Sequence, residues 1–176
     1  ITLLERVFLL DMLPPWHSNR LNRLVKTPKL HMGDTGLACA LLGVDATALK
    51  ADRALLGHLL ETFVFQELRR QASWHDEPLA FFHYRDRDDV EVDIVIERGA
   101  QALVGVEVKA GATVTTSDFR GLRKLIEDFR ADDGSTNYAA PPAMVTFPVG
   151  LADGNLRYQP AYDTTSPGDF ANIKAG

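Results

Sequence analysis

The chain has 176 residues, 45% hydrophobic and 24% charged, enough for one good core of an ordinary soluble globular type. Its net charge of −5 and pI of about 5.5 exclude a protein that coats nucleic acid by bulk electrostatics and leave room only for a local basic groove. A single cysteine, Cys39, excludes an internal disulfide, lacks partners for zinc, and reads as a small buried apolar residue.

In chain order, Leu3, Leu4, Val7 and Phe8 have helical spacing, and Met12-Leu13-Pro14-Pro15-Trp16 ends that helix because consecutive prolines cannot continue it. Glu5, Arg6 and Asp11 interrupt the apolar opening, so it is neither a membrane span nor a signal peptide, and a cytoplasmic location follows by default. The chain enters this pattern at Ile1 with no capping residues upstream, as a segment of a longer protein would. A loop then carries Arg20, Arg23, Lys26 and Lys29 with no acid before Asp34. Solvated faces account for most such clusters; contact with a phosphate backbone is the alternative.

Lys29 to Met32 reads as a short strand, followed by a helix from Thr35 to Leu42 capped by Asp34 and ended by Gly43. Leu55, Leu56, Leu59, Leu60, Phe63, Val64 and Leu68 mark a long helix, and Leu79 to Arg85 a strand. Glu91 to Ile96 and Val104 to Lys109 then form an antiparallel hairpin around the turn Arg98-Gly99-Ala100-Gln101. Alternation sets Val92, Ile94 and Ile96 on one face and Glu91, Asp93 and Val95 on the other; Glu107 and Lys109 share a face, and Asp93 can oppose Glu107. Two carboxylates and an ammonium are poor core residues, since an unpaired buried charge costs roughly several kcal/mol, but they suit Mg²⁺ and a phosphate.

Thr116 or Ser117 can cap a helix that turns Phe119, Leu122, Leu125, Ile126 and Phe129 to the core. Met144 to Phe147 reads as a strand parallel to one hairpin strand through this crossover. From Gly150 the chain is rich in Gly, Pro, Asp and Thr, which predicts a weakly packed tail with one strand at Leu156 to Tyr158. The class is α/β, a mixed central sheet flanked by helices, and the missing phosphate-cradling loop rejects a standalone ATPase.

A helix bearing Glu61, a strand bearing Asp93 and a strand bearing Glu107-Val108-Lys109 together resemble the restriction-endonuclease-like (PD-(D/E)xK) nuclease superfamily. The run from Leu24 to Leu125 looks more closely like the C-terminal domain of unknown function of predicted prokaryotic AAA-superfamily ATPases. There it follows an ATPase core and a winged-helix segment; the ATPase part is absent from this chain. The matching pieces are Lys26-Thr27-Pro28-Lys29-Leu30-His31-Met32-Gly33-Asp34-Thr35-Gly36-Leu37, Gly57-His58-Leu59-Leu60-Glu61-Thr62-Phe63-Val64, Tyr84-Arg85, Glu91 to Val95 and Gly105 to Lys109. Val92 stands where the nuclease pattern has a proline.

The resemblance implies one domain over 1–150, with an N-terminal helical and linker part to 57 and a nuclease-like core from 58, and a tail over 151–176. It implies Mg²⁺ or Mn²⁺ held by Asp93, Glu107 and the Val108 carbonyl, with Glu61 reaching in from its helix, and Lys109 orienting the attacking water. Arg20, Arg23, Lys26, Lys29 and the pair Tyr84-Arg85 are the expected nucleic-acid contacts, and cleavage of nucleic acid is the expected activity. The alternative is a non-catalytic nucleic-acid-binding or protein-interaction module in which Glu61 is solvated and Glu107 and Lys109 are an exposed pair. His17, His31, His58, His75 and His83 lack ligand spacing and read as surface or core residues; Trp16, Trp74, Phe81 and Phe82 read as packing.

Overall fold

Left-handed backbone at Phe8 decides the first element. In the computed structural model, which describes residues 1–24, 27–99, 102–111, 115–133 and 144–148, α1 spans only Thr2–Arg6. Phe8 takes φ +59°, a conformation that ends a helix, and Leu9 N–H closes back on the Leu4 carbonyl at 2.9 Å. The expected helix to Met12 is therefore corrected: Leu10–Leu13 is strand β1, antiparallel to β2 (Lys29–Met32), with Leu13 opposite Lys29. Gly33 follows at this corner, where a Cβ would collide with the Phe8 carbonyl.

Helix α2 (Thr35–Leu42) keeps its expected ends, with Asp34 accepting Leu37 N–H at 2.7 Å and Gly43 left-handed at φ +66°. A short helix that periodicity did not reveal, α3 (Ala46–Ala51), starts at Asp45, and Asp52 caps the long α4 (Arg53–Ala72). Four strands, β3 (Ala80–Arg85), β4 (Glu91–Arg98), β5 (Ala102–Lys109) and β6 (Met144–Pro148), lie in the order β3-β4-β5-β6. The first three are antiparallel neighbours and β6 runs parallel to β5. Helix α5 (Arg120–Asp133) follows a 3₁₀ turn over Thr116–Phe119. Its entry is fixed one residue earlier than expected, by Thr115, whose N–H donates to Asp118 Oδ2 at 2.7 Å. The tail from 151, with its expected strand, lies outside the described residues.

Apolar side chains form two clusters. One joins Val92, Val95 and Leu103 to Leu122 and Leu125 of α5, with Trp16 and Tyr84; the other joins Ile94, Val106 and Val108 to Leu13 and Phe65 of α4. Full burial of each such side chain stabilises the fold by about 1.5–3 kcal/mol. Helix α5 lies so close to β4 that a Cβ on Gly121 would overlap the Glu91 carbonyl.

The same clusters correct the expected face of β4. Val92 packs with the α5 cluster and Ile94 with the α4 cluster, because the register runs from Phe82↔Val95 to Tyr84↔Val92. Two steps along β3 match three along β4, so β4 carries an extra residue at Asp93-Ile94, a β-bulge. Opposite the bulge, His83 exchanges backbone hydrogen bonds with the segment after β1: its N–H donates to the Pro14 carbonyl at 2.9 Å and its carbonyl accepts Trp16 N–H at 2.6 Å. This ties the β1–β2 hairpin to the large sheet.

Among the remaining expectations, Trp16 is buried and donates Nε1–H to Glu97 at 2.9 Å, whereas Trp74 is 82% exposed and packs no core. Cys39 is half-buried rather than buried.

Candidate functional site

The backbone ladder between β4 and β5 stops at Ile94↔Val106. One residue further on, the Asp93 side chain replaces it: Oδ2 accepts Val108 N–H at 2.8 Å. Neither ladder pairs Asp93, which lies in the β4 bulge on the β3 side and one residue past the last pair on the β5 side. Glu107, which the register sets opposite Asp93, is buried, and its Oε1 accepts from Lys109 Nζ at 2.6 Å. Its Oε2 is buried with no hydrogen-bond partner among the described residues. Burial, then the Asp93 charge, push the Glu107 carboxyl from an ordinary 4.5 to about 7, against the opposing pull of Lys109 and Lys29. For Lys109 burial works downward, but the hydrogen bond and charge of Glu107 outweigh it and hold the ammonium above its usual range.

Helix α4 brings Glu61 to the same place. Its Oε1 accepts from Lys29 Nζ at 2.9 Å, and the same ammonium lies 3.5 Å from Asp93 Oδ1. Burial, and then the Asp93 charge, raise the Glu61 carboxyl; Lys29 opposes both. Burial alone would lower Lys29, but Glu61 and Asp93 outweigh it and raise the ammonium. Two residues along β2, buried His31 meets Thr62 Oγ1 through Nδ1 at 3.1 Å, with Nε2 3.9 Å from Glu61 Oε1. Burial, then Lys29, lower the imidazole to about 4, so it is neutral at pH 7. Gln66 locks α4 to the hairpin, donating Nε2–H to Asp11 at 2.7 Å and to the Met32 carbonyl at 2.9 Å.

Asp93, Glu107, Lys109 and Glu61 therefore converge as their motifs suggested, and Val108 lies among them. Lys29 joins them as a partner of carboxylates, a place that the basic run around it does not signal. His31 was read only as a surface or core residue; its spacing from Lys29 along β2 is the one sequence sign that it faces the same way. Among the other expected nucleic-acid contacts, Arg23, Tyr84 and Arg85 have partners away from this cluster. Arg23 Nη2 pairs with Glu97 at 2.8 Å and its guanidinium covers the rings of Trp16 and Phe82. Tyr84 is buried, and its hydroxyl donates to Asp128 at 2.6 Å, so its ring is not offered for stacking; burial and that bond raise its pKa. Arg85 is about half exposed and pairs with Asp89 at 3.0 Å and Glu91 at 3.3 Å. Arg20 lies in a 3₁₀ turn over Arg20–Leu24, and Lys26 lies outside the described residues.

Chemically, the cluster offers hard carboxylate oxygens, one of them buried and unpartnered, beside two ammonium groups. Such oxygens fit Mg²⁺ or Mn²⁺. They do not form a finished cage: among the described residues, no three His, Cys, Asp or Glu side chains are grouped so as to hold an ion. No helix among the described residues is long and apolar enough to cross a membrane.

Fold and site together define a mixed α/β protein with a carboxylate–lysine cluster where two antiparallel strands part. The chain belongs to the family described as Domain of unknown function (DUF4143), which matches residues 56–147, from α4 through β6. A second family, Domain of unknown function (DUF8612), matches residues 1–48, which carry α1, the β1–β2 hairpin and α2. The chain is similar to uncharacterized proteins of Mycobacterium bovis and Mycobacterium tuberculosis, 30% identical to each over 118 residues, or 67% of its length. It spans about a quarter of the length of these curated relatives. No solved structure matches it.

Proposed function

We propose that the chain is a restriction-endonuclease-like domain that hydrolyses phosphodiester bonds in nucleic acid with a divalent metal ion, and that it serves as the C-terminal domain of an AAA-type ATPase. The observation that carries this reading is the buried, unpartnered Glu107 Oε2 beside Asp93 at the strand fork, with Lys109 one pleat repeat away. A buried carboxylate oxygen without a donor is costly to leave unmatched, and a hard cation satisfies it.

Asp93 and Glu107 would hold the ion, with the Val108 carbonyl and Glu61 completing the set. When bound, Mg²⁺ or Mn²⁺ neutralises charge on the scissile phosphate and makes a bound water acidic. Lys109 is the residue placed to orient the attacking water and to offset charge developing on the phosphoryl oxygens. Asp93 holds the Val108 backbone in place through its N–H.

A second reading, a non-catalytic interaction module, is favoured by the Lys29 ammonium lying between Glu61 and Asp93, where it already offsets part of their charge. The two readings separate on one experiment. Single- and double-stranded DNA and RNA are incubated with the chain and millimolar Mg²⁺ or Mn²⁺, beside Lys109→Ala and Asp93→Ala. Metal-dependent cleavage by wild type alone supports the nuclease; equal residual cleavage in all three means a contaminant.

A further inference from the structure

The place between Glu61 and Asp93 is taken by a cation of the protein's own. Lys29 Nζ stands 2.9 Å from Glu61 Oε1 and 3.5 Å from Asp93 Oδ1, donating to both. We infer that Lys29 is a tethered counter-ion that closes the carboxylate site against divalent cations, and that its ammonium swings out when such an ion binds between Asp93 and Glu107. This rests on the reading of those two carboxylates as metal ligands.

Charge counting supports it. Asp93, Glu107 and Glu61 contribute three negative charges and Lys29 and Lys109 two positive ones, a formal balance of −1. With Lys29 withdrawn the balance is −2, which matches one divalent ion. An ion entering while Lys29 stayed would meet a like charge at close range, where the Coulomb term is steepest. It would also turn the balance positive in a half-buried setting.

Geometry allows the movement. Lys29 is the first residue of β2, opposite Leu13 at the end of the hairpin ladder, so its side chain can leave without breaking a strand pair behind it. A lysine carries its charge on a flexible four-carbon stem, and rotation about that stem is all the opening requires. Lys109 is held differently: it pairs with Glu107 Oε1 and leaves Oε2 open, so it does not cover the oxygen an ion would use.

The test compares wild type with Lys29→Met, which keeps the stem, and Lys29→Gln, which keeps a donor toward Glu61 without charge. Mn²⁺ and Mg²⁺ binding is read by calorimetric titration, and melting temperature with and without each ion. Both variants should bind Mn²⁺ roughly tenfold or more tightly than wild type. Lys29→Met should melt lower than wild type without metal and recover at saturating ion. If only one variant folds, that one decides the affinity. In wild type, amine labelling at Lys29, followed by mass spectrometry, should rise on addition of Mg²⁺.

Wild-type binding that equals or exceeds both variants, or labelling of Lys29 unchanged by a bound ion, overturns the inference and leaves the metal-site reading standing. Absence of binding in all three at millimolar Mn²⁺ overturns both. Binding by the variants alone supports the inference and makes the wild-type site a closed one.

Discussion

Asp93 Oδ2 and the Val108 amide meet at 2.8 Å, so a side chain completes the β4–β5 pairing at the point where the backbone ladder has ended. Asp93→Ala leaves that amide, on the buried Val108, without its acceptor, and unfolding in urea should show a loss of about 1–3 kcal/mol, the usual cost of an unmet buried donor. Asp93→Asn keeps an acceptor and should lose less. Both should abolish any Mn²⁺-induced rise in melting temperature, which a metal site elsewhere would leave intact.

Glu107 sets a pH dependence whose sign is opposite to that of most carboxylates. Its folded pKa, about 7, lies above the ordinary 4.5, so between those values the native state holds a proton the unfolded state has released. The stability tied to this group is full below pH 4.5 and is lost as pH rises to 7. Glu107→Gln removes that loss, so its advantage over wild type should grow across pH 4.5–7 to at most about 3 kcal/mol and then stay level. Denaturant midpoints at half-unit pH steps measure it; parallel curves would place the Glu107 carboxyl at an ordinary pKa.

Lys109→Met removes the ammonium and keeps most of the stem. On the proposed function, metal-dependent cleavage should fall about 10²–10⁴-fold, the scale of a lost proton-transfer or charge-stabilising group, while nucleic-acid affinity holds within a few-fold. Single-turnover cleavage beside filter binding checks the pair of outcomes. A parallel loss of binding would make Lys109 a docking residue instead.

Arg23→Ala should act on the fold rather than on a phosphate backbone. The guanidinium is largely buried, pairs with Glu97 and lies over Trp16 and Phe82, so its removal should cost about 2–4 kcal/mol. The salt dependence of any nucleic-acid binding should stay as in wild type, whereas loss of a phosphate contact would lower the slope by about one.

Gly121→Ala places a methyl against the Glu91 carbonyl, a backbone atom that cannot swing aside. Destabilisation of about 2–4 kcal/mol is expected, more than a surface helix Gly→Ala change, which normally stabilises. Thermal melting beside the open-space control Gly57→Ala on α4 separates the two cases.

Local signals carried much of the fold and about half of the site. Asp34 and Gly43 bracket α2 because capping is a matter of a few neighbouring residues, and the Glu91 to Lys109 hairpin showed itself by alternation around a glycine turn. Asp45 was an equally local cap for α3, but Ala46–Ala51 offers too little apolar periodicity to be seen as a helix. Strand β1 was hidden by a left-handed Phe8, a conformation no propensity favours. Glu107 and Lys109 were legible from their two-residue spacing. Lys29 was not, since its partners lie 32 and 64 residues away and only the docking of the hairpin on α4 unites them. The bulge escaped for a related reason: strict alternation assigns faces correctly only while both strands advance in step.

That missed step has a mechanical consequence. On one side of Asp93, Val92 is anchored in the layer beneath α5; on the other, Ile94 is anchored in the layer beneath α4. The carboxylate is thus strung between two slabs of the molecule, and a slide of one slab past the other turns into a rotation of Asp93 about its own backbone. A displacement of either helix would reach the Asp93 carboxylate through the strand itself, with no loop between them to absorb it.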